Sequence, residues 1–498
     1  MANNFPNLRP TLNLDMVNGL YVDPRVTFTR AGTRTYFGRD MVKAEENLLL
    51  NSASLSTQNV TVTATAYVVS FTGTGTITLS GASTAGPLIG IGLLDRVSLS
   101  FTPTAGTLTL TVTGSVTLAQ LENRSSLTAY TPTTTQTITN YQRLLKTAAA
   151  NEWPREFEPV TGECLGRSVW EARTNLVLYS QEFDNAYWTK SNVTISTNQI
   201  IAPDGTLTAD KLVEDATLNQ HRVLRAIDGS TKNISIYAKA AERSYIGLFA
   251  AVGTRTYFNL SAGTIGTVSS GSTATIESVG NGWYRCSLYN AHPTNGALFQ
   301  LSTDGTTETY TGDGVSGLYI WGADLEAGTF ATPYIPTVAA QVTRVADSAA
   351  MTGTNFSSWY NQAEGCFVAS ALTASTTATG SILSAEDGTA SNRMQVRANS
   401  SGAMSLTVVV AGATQVGVTN GSFAANVYKM GAASYNFNNY AISCDGAAVS
   451  TDTVATVPVV NQLVVGGGTS QNALNGYIKR LTYYPESLTS ANLQAVTA

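Results

Sequence analysis

Histidine is almost missing from this chain. His221 and His292 are its 2 histidines in 498 residues, so imidazole zinc sites and Ser-His-Asp catalysis have almost no material, and structural or surface roles are expected for both. Cysteine is nearly as scarce. Cys164, Cys286, Cys366 and Cys444 lie too far apart for a metal knuckle or a dense disulfide framework, and they read as buried thiols of a chain folded in a reducing cytoplasm. Charged residues make up 12% of the chain, against roughly 25% in ordinary globular proteins. With a net charge of -5 and scattered basic residues, there is no cationic stripe for a phosphate backbone, and nucleic acid is not expected as a partner. The opening MANNFPNLRPTLNL lacks a basic segment followed by an apolar one, and no run of about 18 apolar residues occurs, so neither ordinary export nor membrane insertion is expected. A phosphate-cradling Gly-x-x-x-x-Gly-Lys loop is missing too, since Gly466-Gly-Gly468 lacks the lysine and reads as a turn.

What is present is alternation of period two. Val60-Thr-Val62-Thr, Thr76-Ile-Thr78-Leu and Thr107-Leu-Thr-Leu-Thr-Val112 place every second side chain on one face, as half-buried strands require. Asp-Gly and Asn-Gly pairs at 204–205, 228–229, 304–305, 387–388, 420–421 and 445–446 supply the positive-φ residues of tight hairpins. An all-β chain of tandem β-sandwich or jelly-roll domains follows, with helix expected only at Asn140 to Ala150 and at Thr489 to Val496.

An internal repeat draws the domain edges. Asn47-Leu-Leu-Leu-Asn-Ser52 and Asn175-Leu-Val-Leu-Tyr-Ser180 each open a module, and each is answered by Ala-x-Leu-Glu, seven residues, then Tyr-x-Pro-Thr, at 119–133 and 323–337. The reading is an extended N-terminal anchoring or connector region at 1–46, an inserted small sandwich at 47–133, a connector at 134–174, a jelly roll at 175–337 and a further sandwich at 338–498. The connector and the N-terminal region are expected to pack together.

The run Phe157-Glu-Pro159-Val-Thr-Gly162-Glu-Cys164-Leu-Gly166, then Glu171-Ala-Arg173-Thr-Asn-Leu176, resembles a signature of phage tail-fibre and virion-appendage structural proteins. The resemblance continues through Ala186-Tyr-Trp188-Thr-Lys190, Gly282-Trp283-Tyr284-Arg285 and the closing pattern, while the last module is similar to concanavalin A-like (laminin G-like) domains. It implies a non-enzymatic virion protein with carbohydrate-binding-module-like jelly rolls, assembled in the bacterial host cytoplasm with other phage proteins. By analogy with fibres it implies a homotrimer, and host-surface polysaccharide as a ligand. A capsid decoration or head-fibre protein without a specific ligand, and a glycan-cleaving tailspike depolymerase, are the rival readings.

Sugar binding needs an aromatic face for the C–H side of a pyranose and polar groups for its hydroxyls. Tyr187, Trp188, Trp283, Tyr284 and Trp321 are the candidates, each weighed against simple core packing, and Trp188, between Asn185 and Lys190, is the one expected to be exposed. Asp324 and Glu326 lie two apart on one strand face, as a glycosidase pair would. The first repeat keeps Glu122 but has Gln120 in place of the first acid, so carboxylates that pin the closing segment are the favoured reading. Arg30, Arg173 and Arg344 sit at module edges, where a guanidinium can hold carbonyls or a carboxylate such as Glu171, and module docking or subunit contacts are assigned to them. No metal site is identified. Calcium is an option only through loops such as Asp304-Gly and Asp313-Gly, which turn chemistry also explains.

Overall fold

The computed structural model describes residues 9–227, 232–249, 255–290, 296–375, 379–469 and 472–498. The Asp-Gly pair at 228–229 and His292 lie outside the described residues. The chain is all-β, and the alternating segments form strands: Gln58–Val62, Thr76–Gly81 and Gly106–Thr113 carry those quoted above.

The small module packs a four-stranded sheet (Gln58–Val62, Gly106–Thr113, Thr76–Gly81, Leu88–Ile89) on a three-stranded one (Val116–Glu122, Tyr67–Gly73, Gly92–Phe101). Leu49, Val69, Phe71, Ile77, Leu108 and Leu121 fill the space between. Burying each such side chain contributes about 1.5–3 kcal/mol, which is how a unit of this size holds a core of its own. Among the described residues the jelly roll has two six-stranded sheets. One runs through Gly317–Ala327, Lys232–Ala240 and Trp283–Asn290, and the other through Arg222–Arg225, Ala297–Ser302 and Tyr245–Phe249. Its core includes Phe183, Trp188, Leu212, Ile236, Phe258 and Phe299.

The C-terminal sandwich does not keep to the linear order. Leu12–Asp15 and Cys164–Val169 both pair with Gly476–Tyr484 in one sheet, and Thr27–Thr29 pairs with Ser348–Thr352 in the other. Leu12, Leu14, Phe28 and Trp153 are therefore in the same core as Phe367, Tyr435 and Tyr483, with Phe28 and Trp153 stacked at 5.1 Å between ring centres. Gly166 makes this weave possible. Its φ is 89°, and a Cβ there would stand 2.2 Å from the Ile478 carbonyl oxygen, so only glycine lets the two backbones approach.

One expected helix is a strand. Ile138–Ala148 pairs antiparallel with Arg34–Asn47, with irregularities after Thr139 and after Arg143. Those two register shifts put the buried side chains at Gln142, Leu145 and Ala148, a spacing of three that imitates a helical stripe in the sequence. The pairing also brings the connector against the N-terminal region. The C-terminal helix is present at Ser490–Thr497, capped by the Thr489 hydroxyl, which accepts from the Asn492 amide at 3.3 Å.

Candidate functional site

The repeated motif builds the same buried polar clasp twice. Asn47 Nδ2 donates to the carbonyls of Ala119 (2.9 Å) and Thr131 (2.8 Å), and Asn175 Nδ2 donates to those of Ala323 (3.1 Å) and Ile335 (2.7 Å). Their Oδ1 atoms accept from Leu49 and Leu121, and from Val177 and Leu325. Ser52 and Ser180 each meet a tyrosine hydroxyl, Tyr130 and Tyr334, at 2.7 Å, and accept from the amides of Thr133 and Thr337. Glu122 binds the amide and hydroxyl of Thr128, and Glu326 those of Thr332. Where the second clasp has Asp324 accepting from the Ile335 amide (3.1 Å), the first has Gln120 accepting from the Thr131 amide (2.6 Å). Glu122, Asp324 and Glu326 are all within 1% of fully buried. Burial, followed by the nearby Glu326 charge, pushes the Asp324 carboxyl well above its ordinary range. These buried acids hold the closing segment of each clasp in place.

The assigned arginines gather where the modules meet. Arg30 is 1% exposed; it pairs with Asp347 at 3.2 Å and donates to the carbonyls of Gly32, Ala149 and Glu152. Asp347 in turn accepts from the Trp170 amide at 2.9 Å. Arg173 pairs with Glu171 and covers the Phe330 ring at 5.2 Å. Arg344 donates to the Glu171 carbonyl at 2.6 Å, and burial lowers its guanidinium to about 10. Glu171 also exchanges hydrogen bonds with Asn475, tying the connector to the C-terminal sandwich.

Beside this ionic cluster the same modules leave a cleft of about 440 Å³, inside the ~300–1,000 Å³ range of small-molecule sites. The Arg34–Asn47 strand gives Thr35, Tyr36 and Phe37; the connector gives Glu156, Phe157, Glu158 and Trp170; the jelly roll gives Tyr237, Glu277 and Arg285; the C-terminal sandwich gives Asn426 and Tyr477. Thus the run from Phe157 that carries the family resemblance forms one wall. Glu156 pairs with Arg34 at 2.7 Å and accepts from the Tyr477 hydroxyl at 3.2 Å. The Glu158 carboxyl is raised by burial, but the Thr161 and Val160 amides outweigh this and leave it below the usual range. Burial likewise drives the Tyr237 phenol up to about 12. Aromatic faces, hydroxyls and carboxylates share one concave surface, the composition that saccharide binding uses.

The aromatic residues chosen from the sequence do not meet here. Trp188, Trp283 and Trp321 are each 1% exposed, and their indole N–H groups donate to the Tyr179 carbonyl (3.0 Å), the Ile201 carbonyl (3.2 Å) and the Thr208 hydroxyl (3.1 Å). Trp188, expected at the surface, is instead packed against Phe183 at 5.1 Å; its polar sequence neighbours cover the core rather than open it. Tyr187 and Tyr284 are half-buried against the jelly-roll core, and Tyr187 lies under Arg225 at 4.3 Å. The residues the sequence reading missed are Tyr36, Phe157 and Tyr477, half-buried in the cleft wall. The Asp304 and Asp313 carboxylates accept from the amides of Thr306, Thr307, Val315 and Ser316 in their own loops. Among the described residues no group of three or more His, Cys, Asp and Glu is placed to hold a metal ion. Both ring nitrogens of the buried His221 face carbonyls, of Asn192 at 2.8 Å and Tyr310 at 3.1 Å.

No family model matches the chain, and no curated protein matches it. Solved structures similar to it include the CBM40 module of the Ruminococcus gnavus IT-sialidase bound to α2,3-sialyllactose, at 19% identity over 29% of this chain and 88% of that one, with a TM-score of 0.26. A heptameric SAP-like pentraxin from Limulus polyphemus is 13% identical over 27% of this chain and 70% of that one, with a TM-score of 0.23. The LG1-3 region of the laminin α2 chain is 11% identical over 93% and 97%, with a TM-score of 0.22. At such identities and scores these neighbours locate no site in this chain.

Proposed function

We propose that this chain is a non-enzymatic structural protein of a phage particle, a fibre or surface appendage, that engages host-surface glycans through the cleft at its module junction. The observation that carries the reading is the cleft itself, where half-buried Tyr36, Phe157 and Tyr477 line the same wall as Glu158 and Glu277. The virion role rests on the resemblance of the Phe157-to-Gly166 run, and the reading as a non-enzyme is supported by the enclosure of Asp324 and Glu326 within the clasp. A glycan array probed with the whole purified chain tests the binding. Retention of host-surface oligosaccharides, lost in Phe157→Ala, is expected, and silence across the array would refute it. Immunogold labelling of phage particles tests the location. Light scattering tests the homotrimer proposed by analogy with fibres, which a monomer at micromolar concentration would exclude. The burial of Trp153, Trp170, Trp188, Trp283, Trp321 and Trp359 favours one second reading, a capsid decoration without a ligand, for which an empty array together with gold on the head would be the signature.

A further inference from the structure

We infer that the cleft takes a neutral saccharide with a strong acceptor oxygen, such as an N-acetylated hexosamine unit, and turns polyanionic glycans away; this rests on the glycan reading above. Trp170 carries the first half of the argument. It belongs to the cleft wall and is 4% exposed, yet its Nε1–H is buried without a hydrogen-bond partner among the described residues. An indole N–H only donates, and buried ones usually have a partner. A hydroxyl or an acetamido carbonyl oxygen in the cleft would satisfy it. The neighbouring Tyr477 ring is edge-on to Trp170 at 5.9 Å, and Phe157 lines the same cleft.

Charge carries the second half. The lining holds the carboxylates Glu156, Glu158 and Glu277 against a single guanidinium, Arg285. Glu156 is answered by Arg34 from behind the wall. Arg285 is already engaged, with Nη2 on the Ser235 hydroxyl at 3.0 Å and 3.9 Å from Asp324. Arg143, whose charge acts on Glu158, and Arg155 lie outside the lining; each covers Phe157 from 5.9 Å, and they donate to the carbonyls of Arg39 at 2.8 Å and Val17 at 2.9 Å. Glu158 and Glu277 therefore set the field in the cleft. They accept from sugar hydroxyls and repel a uronate, sulfate or phosphate.

Isothermal titration of the full chain with N-acetylglucosamine oligomers and with oligogalacturonate tests this. The neutral oligomers are expected to bind and the uronate not. Trp170→Phe, which keeps the ring and removes the donor, should weaken neutral binding roughly 3- to 10-fold with an unchanged melting profile. Glu277→Arg should raise the ratio of acidic to neutral affinity roughly tenfold. Uronate binding as tight as neutral binding, or full affinity in a folded Trp170→Phe chain, overturns the inference and leaves the glycan reading standing. Silence towards both ligands and towards the wider array overturns both.

Discussion

Removing Asn175 should cost the jelly roll about 4 kcal/mol and leave the small module untouched. The side chain is fully buried and completes four hydrogen bonds: to the carbonyls of Ala323 and Ile335, and from the amides of Val177 and Leu325. Alanine strands all four backbone groups, each worth about 1–3 kcal/mol when left dry. Local relaxation and entering water return part of that sum, which leaves about 4 kcal/mol. For a unit of this size that is a fall of about 8–16 °C in its melting transition. Asn47→Ala removes the matching bonds in the first clasp, and the smaller module should lose about twice as many degrees, enough to unfold it near ambient temperature. Calorimetry of both variants, with hydrogen exchange to assign each transition, reads the outcome. A loss below about 1 kcal/mol, or an equal shift of every transition by either variant, would refute the view that each clasp closes its own core.

Three further outcomes follow from the buried charges and loops. Burial raises the Asp210 carboxyl from 3.8 to about 6, so the folded state keeps a proton that the unfolded chain has lost; this support is complete below about pH 4 and disappears, by up to about 3 kcal/mol, as pH rises through 6. Asp210→Asn should accordingly be weaker than wild type at pH 4 and gain on it by pH 7 in parallel urea titrations, and a difference constant with pH would contradict this. Arg30→Met strands the Asp347 carboxylate, whose side chain is 0% exposed, and should destabilise the C-terminal sandwich by about 3–5 kcal/mol; adding Asp347→Leu should restore much of it, and strictly additive losses would exclude a direct pairing. Treatment with EDTA should leave the melting profile unchanged, because the Asp304 and Asp313 loops bind their own amides; a fall restored by calcium would show that one of them holds a metal.

How far the sequence could be read depended on how local each cause was. Alternation and Asp-Gly turns are local, and Gly388 and Gly446 do take positive φ, at 84° and 70°. The repeat was legible because each clasp needs the same donors and acceptors at the same spacings, so Asn47, Ser52, Glu122 and Thr133 recur as Asn175, Ser180, Glu326 and Thr337. Ile138–Ala148 misled because bulges replaced period two with three-residue steps. Trp188 misled because the polarity of its neighbours says nothing about the Phe183 and Phe299 rings that enclose it. The cleft was beyond reach for a topological reason: Tyr36, Phe157, Glu277 and Tyr477 come from four separated segments, and no window of sequence contains them together.

The pairing of Leu12–Asp15 with Arg480–Tyr483 sets a timetable for synthesis. Asn13 and Arg480 are 467 residues apart, so at ~5–20 residues per second the first strand leaves the ribosome roughly 25 to 90 s before its partner exists. The small module and the jelly roll, each closed by its own clasp, emerge whole and can fold during that interval. Leu12, Leu14 and Phe28 meanwhile have no hydrophobic surface to cover them. A nascent chain stalled before Gly476 would carry an open sheet edge and a half-built core, and chaperone engagement should concentrate in that window.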